Sequence, residues 1–142
     1  MTAYDTNNIF AKILRGEIPC FKVYENDHVL AFLDIMPRAP GHTLVIPKAP
    51  ARNLLDISAD DFAHVARATR LIARAAMPAF NADGMMIVQF SEPASGQEVY
   101  HLHMHVIPRF DGVALLPPAS RKEDMKVLEG HAAKLIAALK SG

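Results

Sequence analysis

Apolar positions along the chain recur with two rhythms, one of about 3.6 residues and one of two, and the switches between them mark the elements. Ile9, Phe10, Ile13 and Leu14 share one face of a short helix that Asn7 or Asn8 can cap and Gly16 can end. Residues 21–25 (FKVYE) and 29–33 (VLAFL) are rich in strand formers, and Asn26-Asp27-His28 between them makes a hairpin. Two prolines and a glycine exclude regular structure from 34–41, and HTLVIP, 42–47, is a third strand stopped by Pro47.

The helical rhythm returns after Ser58, which is placed to cap a long helix. Asp60 and Asp61 stand in its first turn, Phe62, Val65, Thr69 and Ile72 form its inner stripe, and it ends near Pro78. MMIVQF (85–90) is a fourth strand, SEPASGQ (91–97) a loop and EVYHLHMHVIP (98–108) a fifth strand. Ser120 and Glu123 have the spacing of a capping box for a last helix lined by Leu128, Ala132, Leu135 and Leu139. Strands and helices do not alternate one for one, so the pattern predicts an α+β fold, an antiparallel sheet with helices on it.

Length and charge narrow the class. With 142 residues, 51% of them hydrophobic, the chain is expected to form a single domain over 1–142 with a C-terminal helical tail at about 120–140. Fifteen basic and fifteen acidic residues cancel, which argues against nucleic acid or an anionic membrane as partner. Cys20 is the one cysteine, no apolar run reaches the ~18 residues of a membrane span, and the polar start MTAYDTNN lacks a signal-peptide core. The expected location is therefore cytoplasmic.

Within the fifth strand, His101, His103 and His105 alternate with Leu102, Met104 and Val106. Pleating sends the three imidazoles to one side, each roughly 6.5–7 Å from the next, and the apolar residues to the other. Three uses fit: a solvent-facing edge, a metal site, or nucleophilic and acid–base chemistry on a phosphate. Zinc needs three or four converging ligands, while His101 and His105 are far apart on a straight strand and only Glu98 and Asp111 lie near. A neutral imidazole whose Nδ1–H is held by a carbonyl presents Nε2 as a nucleophile. Gly96 lets backbone amides approach an anion, and Gln97 adds a side-chain donor. HTLVIPK and HMHVIPR each place a histidine five residues before a proline followed by a cation, so His42 joins the triad if the two strands are neighbours.

These stretches resemble the histidine-triad (HIT) superfamily of nucleotide-binding hydrolases and transferases, in its Hint-like branch. IFAKILRGEIP (9–19), VLAFLDIMPRAPGHTLVIPK (29–48) and SGQEVYHLHMHVIPR (95–109) resemble its three ordered blocks. The resemblance implies a HIT-like fold: a five-stranded antiparallel sheet with two main helices, and a homodimer with one ten-stranded sheet. It also implies hydrolysis at the α-phosphate of a purine nucleoside phosphoramidate or related conjugate without a cofactor. His103 is the implied nucleophile, His105 a contact to phosphate and leaving group, and His101 and His42 their support. Asp34 matches the ribose-binding carboxylate, and Ile9, Phe10, Ile13, Ile35 and Leu44 match the walls around the base, although by themselves these five read as core and Asp34 as a turn former.

Two positions depart from the family pattern. Phe90 stands where an Asn or Gln often anchors the phosphate side, and Glu98 stands after Gln97 where Ser or Thr is frequent. A carboxylate beside a phosphate repels it unless it points away. Asn8 and Ala11 occupy the places of two cysteines that hold zinc in some relatives, so no metal is expected. His28, His64 and His131 read as surface residues, Cys20 as inert, and Lys48 and Arg109, which follow the two prolines, as cations that either steer phosphates or are solvated.

Overall fold

A computed structural model describes residues 3–141. Helix α1 (Ile9–Leu14) is capped by Asn8, whose side chain accepts the Ala11 N–H at 2.9 Å. Strands β1 (Lys22–Glu25), β2 (Val29–Leu33) and β3 (Thr43–Pro47) follow, then the long helix α2 (Ala59–Ala79), strands β4 (Gly84–Val88) and β5 (Met104–Arg109), and helix α3 (Met125–Ser141). The five strands form one antiparallel sheet in the order β1-β2-β3-β5-β4.

The sheet is covered on both faces. Val29, Ala31, Leu33, Val45, Leu102 and Val106 meet Val65, Ile72, Leu128 and Leu135 of α2 and α3 in the larger core. Leu30, Phe32, Leu44 and Ile46 point the other way and are covered by Phe10 of α1. Because β2 and β3 are buried on both faces, their runs are continuously apolar rather than alternating.

The larger departures from the sequence expectation fall at three boundaries. The fifth strand begins at Met104, not at residue 98. Upstream of it the Leu102 N–H goes to the Ala51 carbonyl (2.9 Å) and the Gln97 side chain to the Arg52 carbonyl (2.7 Å), so this backbone is held by the 51–56 turn instead of a neighbouring strand. The fourth strand stops at Val88, which leaves Gln89 and Phe90 outside it. The last helix starts five residues after Ser120 and is capped by Asp124, whose carboxylate accepts the Lys126 N–H at 2.8 Å; Glu123 takes the Asp124 N–H, and Ser120 is exposed.

Pairing of β3 with β5 brings the two Ile-Pro strands side by side. Across the α1 face Phe32 aligns with Leu44, Leu44 with His105, and His105 with Val88, forming one cross-strand row. The 34–41 loop closes through the Asp34 N–H to the His42 carbonyl at 3.0 Å. Gly41, at φ +85°, is required there, since a Cβ would lie 2.6 Å from the Phe80 ring.

Candidate active site

The row Phe32, Leu44, His105 forms the floor of a cavity of about 420 Å³, in the usual range for small-molecule sites. Ile9, Phe10 and Ile13 from α1 and Asp34 and Ile35 from the loop form one wall. Phe90, the 96–99 segment, Pro118 and Ala119 complete the lining. His42, His103 and His105 line it; His101 does not, being fully buried beneath.

The histidines do not sit on a single straight strand. His101 and His103 precede β5, and the rings of His103 and His105 approach to 4.9 Å between centroids, closer than pleating alone gives. Their backbone partners fix the tautomers. The Nδ1 of His103 lies 2.8 Å from the His101 carbonyl, which only accepts, so Nδ1 carries the proton and Nε2 keeps a lone pair. The Nε2 of His101 is likewise bound to the Pro47 carbonyl at 2.8 Å, which makes its Nδ1 the acceptor for the Tyr4 hydroxyl at 2.6 Å.

The Arg38 backbone N–H donates to Nδ1 of His42 at 3.0 Å, so His42 bears its proton on Nε2 and gives it to Nδ1 of His105 at 2.9 Å. His105 is therefore left with an Nε2–H donor. Two adjacent imidazoles thus have opposite characters, an acceptor on His103 and a donor on His105.

Burial keeps these rings neutral. It pushes His42 and His105 down to about 3, with Arg38 and His103 repelling a proton on either ring and His42 adding to the effect on His105. His101 is pushed to about 4 by burial, partly offset by its bond to Pro47, and His103 is also lowered, burial again outweighing its bond to the His101 carbonyl. Phe10 packs edge-on against His103 at 4.9 Å and Phe90 against His105 at 5.6 Å, so both rings have an apolar neighbour.

Asp34 Oδ1 accepts the Met36 N–H at 2.9 Å, and burial raises the carboxyl against that bond. Its Oδ2 lies 3.7 Å from His42 Nε2; with His42 neutral this is a contact and not an ion pair. Asp34, His42 and His105 bring ligand atoms within 4.8 Å of one another. A metal there would have to break a hydrogen bond of His42, because both its nitrogens are engaged, Nδ1 by the Arg38 N–H and Nε2 by His105.

The loop before the triad departs from the sequence reading. Gln97 is buried, and its amide is used within the protein: Nε2 donates to Arg52 and Val99 carbonyls, and Oε1 accepts from Asn53 and the Glu92 N–H. The backbone N–H groups of Ser95, Gly96 and Gln97 also have internal partners, at 3.0, 3.0 and 3.3 Å. Gln97 is thus a brace and not a free donor, clamped from below by the Arg52–Glu92 ion pair at 2.8 Å. Glu98 is exposed at the rim.

The remaining histidines and the two cations lie elsewhere. His28 and His64 stack on each other at 3.6 Å, and His131 packs on Phe80. Lys48 pairs with Glu25 at 2.8 Å, and Arg109 donates to the Val113 carbonyl. Cys20 lines the cavity, but burial raises its pKa and keeps it a thiol. Tyr4 and Arg38 were not identifiable from sequence as site residues: Tyr4 is 97 positions from His101, and Arg38 acts on His42 through its backbone.

The HIT domain family matches residues 15–112, more than half of the chain. The chain belongs to the HIT family. A Hit-like protein involved in cell-cycle regulation from Bartonella henselae has the same fold at a TM-score of 0.93 and 53% identity, over 96% of this chain and 99% of that one. A Zn-bound histidine triad family protein from Mycobacterium smegmatis matches at a TM-score of 0.85 and 36% identity, over 96% and 95%. The adenylylsulfatase HINT3 of Arabidopsis thaliana is 33% identical over 132 residues, 93% of this chain and 67% of that protein. In this HIT protein Asn8 caps α1 and Ala11 is a buried residue within it.

Proposed function

We propose that this HIT protein is a hydrolase that cleaves at the α-phosphate of a purine nucleoside phosphoramidate or related nucleotide conjugate, through a nucleotidyl-histidine on His103. The observation that carries the reading is the Nδ1 of His103 held at 2.8 Å by the His101 carbonyl, which commits Nε2 to act as a nucleophile at neutral pH. Nε2 attacks phosphorus and the bond to the leaving group breaks; the Nε2–H of neutral His105 hydrogen-bonds the departing atom, which takes its proton from solvent. Water then attacks the nucleotidyl-histidine and loses a proton to solvent, and the phosphorus–nitrogen bond to His103 breaks, releasing the nucleoside monophosphate and restoring the neutral imidazole.

Asp34 Oδ2 serves the ribose hydroxyls, and Ile9, Phe10, Ile13, Ile35 and Leu44 sandwich the base; all six line the cavity. The adenylylsulfatase name of the Arabidopsis relative supports hydrolysis at a nucleotide α-phosphate. Neither step needs a metal, so chelators leave the rate unchanged. A second reading, nucleotide binding with little turnover, is favoured by Phe90, which places a hydrocarbon ring against His105 in place of a polar anchor.

Adenosine 5′-phosphoramidate decides between the two readings. Wild type releases AMP, and His103→Ala loses at least ~10³-fold in kcat while still binding AMP. Equal release by both proteins removes His103 as nucleophile; AMP binding without turnover of any conjugate by wild type leaves the second reading.

A homodimer joined through β4 completes the proposal. Of the two sheet edges, β1 carries Lys22 and Glu25, charges that guard an edge, whereas β4 (GMMIV) carries none and exposes Ile87 at 43%. Pairing of β4 with its copy would give a continuous ten-stranded sheet.

A further inference from the structure

Arg38 has two roles that do not use its charge. Its backbone N–H sets the tautomer of His42, and its Nε donates to the Leu116 carbonyl at 2.8 Å while Leu116 N–H returns a bond to the Arg38 carbonyl at 3.0 Å. This reciprocal pair pins the side chain at the guanidinium and tethers it to the segment that carries Pro118 and Ala119, both of which line the cavity. Neither Nη atom pairs with an acceptor among the described residues. Arg38 is the one cation among the cavity-lining residues, and its charge reaches both His42 and His105.

A guanidinium tethered through Nε presents its two Nη groups as a fixed, planar fork, the geometry that binds two oxygens of a tetrahedral anion. The surrounding lining is mainly apolar, which strengthens such a pairing. Arg38 lines the same cavity as His42 and His105, and in the proposed reaction His105 is where the leaving group departs.

We infer that Arg38 is a specificity-determining residue whose guanidinium binds an anionic group attached beyond the α-phosphate. Among the nucleotide conjugates of that reading, those whose leaving group is an anion of the phosphate or sulfate kind are then favoured over the phosphoramidate. The inference rests on the nucleotide reading above and specifies the leaving group.

Calorimetric titration with AMP and with ADP tests it without requiring turnover, since ADP carries one further phosphate on the same nucleoside. Wild type binds ADP on the order of tenfold more tightly than AMP, and Arg38→Gln brings the ratio close to one. Arg38→Lys, which keeps the charge but loses the fork, retains part of the preference and serves as the test if the glutamine variant does not fold. A wild-type ratio near one, or a ratio unchanged in both variants, overturns the inference while leaving the nucleotide reading intact. Equal weakening of both ligands also overturns it and confines Arg38 to the α-phosphate or to holding Leu116. If neither nucleotide binds wild type, the nucleotide reading itself fails and takes this inference with it.

Discussion

His42 gives its Nε2–H to Nδ1 of His105 over 2.9 Å, and that one bond decides what His105 offers the cavity. The order of polarity runs from the Arg38 N–H through two imidazoles to a donor at the far end. Hydrogen bonds to peptide groups thus replace ionised side chains as the means of setting proton positions, which suits a site where burial disfavours charge.

His42→Ala removes the donor that fixes His105. The expected loss in kcat is on the order of 10²-fold. The acid limb of the pH–rate profile should also move upward, because His105 loses a repelling neighbour and gains solvent, raising its pKa from about 3 towards its ordinary 6.5. Steady-state rates across pH 4–8 check both, and an unchanged limb together with an unchanged kcat would remove His42 from the relay.

Tyr4→Phe keeps the ring that packs edge-on against His101 at 5.6 Å but deletes the hydroxyl. The buried Nδ1 of His101 is then left unpaired, at a cost of about 1–3 kcal/mol. Urea unfolding of the two proteins measures this directly; coincident curves would mean that water or another group satisfies His101.

Stability should fall on acidification. Above pH 6.5 the rings of His42, His101 and His105 are neutral in both the folded and the unfolded chain. As pH drops through 6.5 the unfolded chain takes up protons that the folded one refuses until about 3 to 4, so each ring costs about 1.4 kcal/mol per pH unit across that window. Asp34, whose raised pKa lets the folded chain protonate first, opposes this, while His103, also lowered by burial, adds to the three rings. The urea midpoint should be highest at pH 7 and above and decline steadily to pH 5; a flat profile would contradict the neutral burial of these rings.

Ile87→Lys places a charge at the bare β4 edge. Light scattering should report a dimer for wild type and a monomer for the variant, with the monomer's far-UV dichroism unchanged. A wild-type monomer at micromolar concentration would refute the paired sheet.

Periodicity located the helices and strands because each buries one face or two, and burial leaves its mark at fixed spacing. Val65, Thr69 and Ile72 in α2 and Leu128, Ala132 and Leu135 in α3 occupy the inner faces that their spacing assigns. It failed at residues 98–103, where the strand-like alternation is real but the backbone partners belong to the 51–56 turn. It failed at Ser120 because Asp124 competes for the same helix start and stands closer to it.

The sequence by itself determined the sheet, its helices, and the clustering of His101, His103 and His105 near one another, since these follow from local spacing and from the repeated Ile-Pro strands. Only the tertiary structure decided which nitrogen of each ring carries a proton, that Gln97 is spent as a brace, and that Tyr4 and Arg38 belong to the site. The reason is that tautomers and donor availability are set by hydrogen-bond partners, and here those partners lie up to 97 residues away or on the main chain, where residue identity leaves no trace.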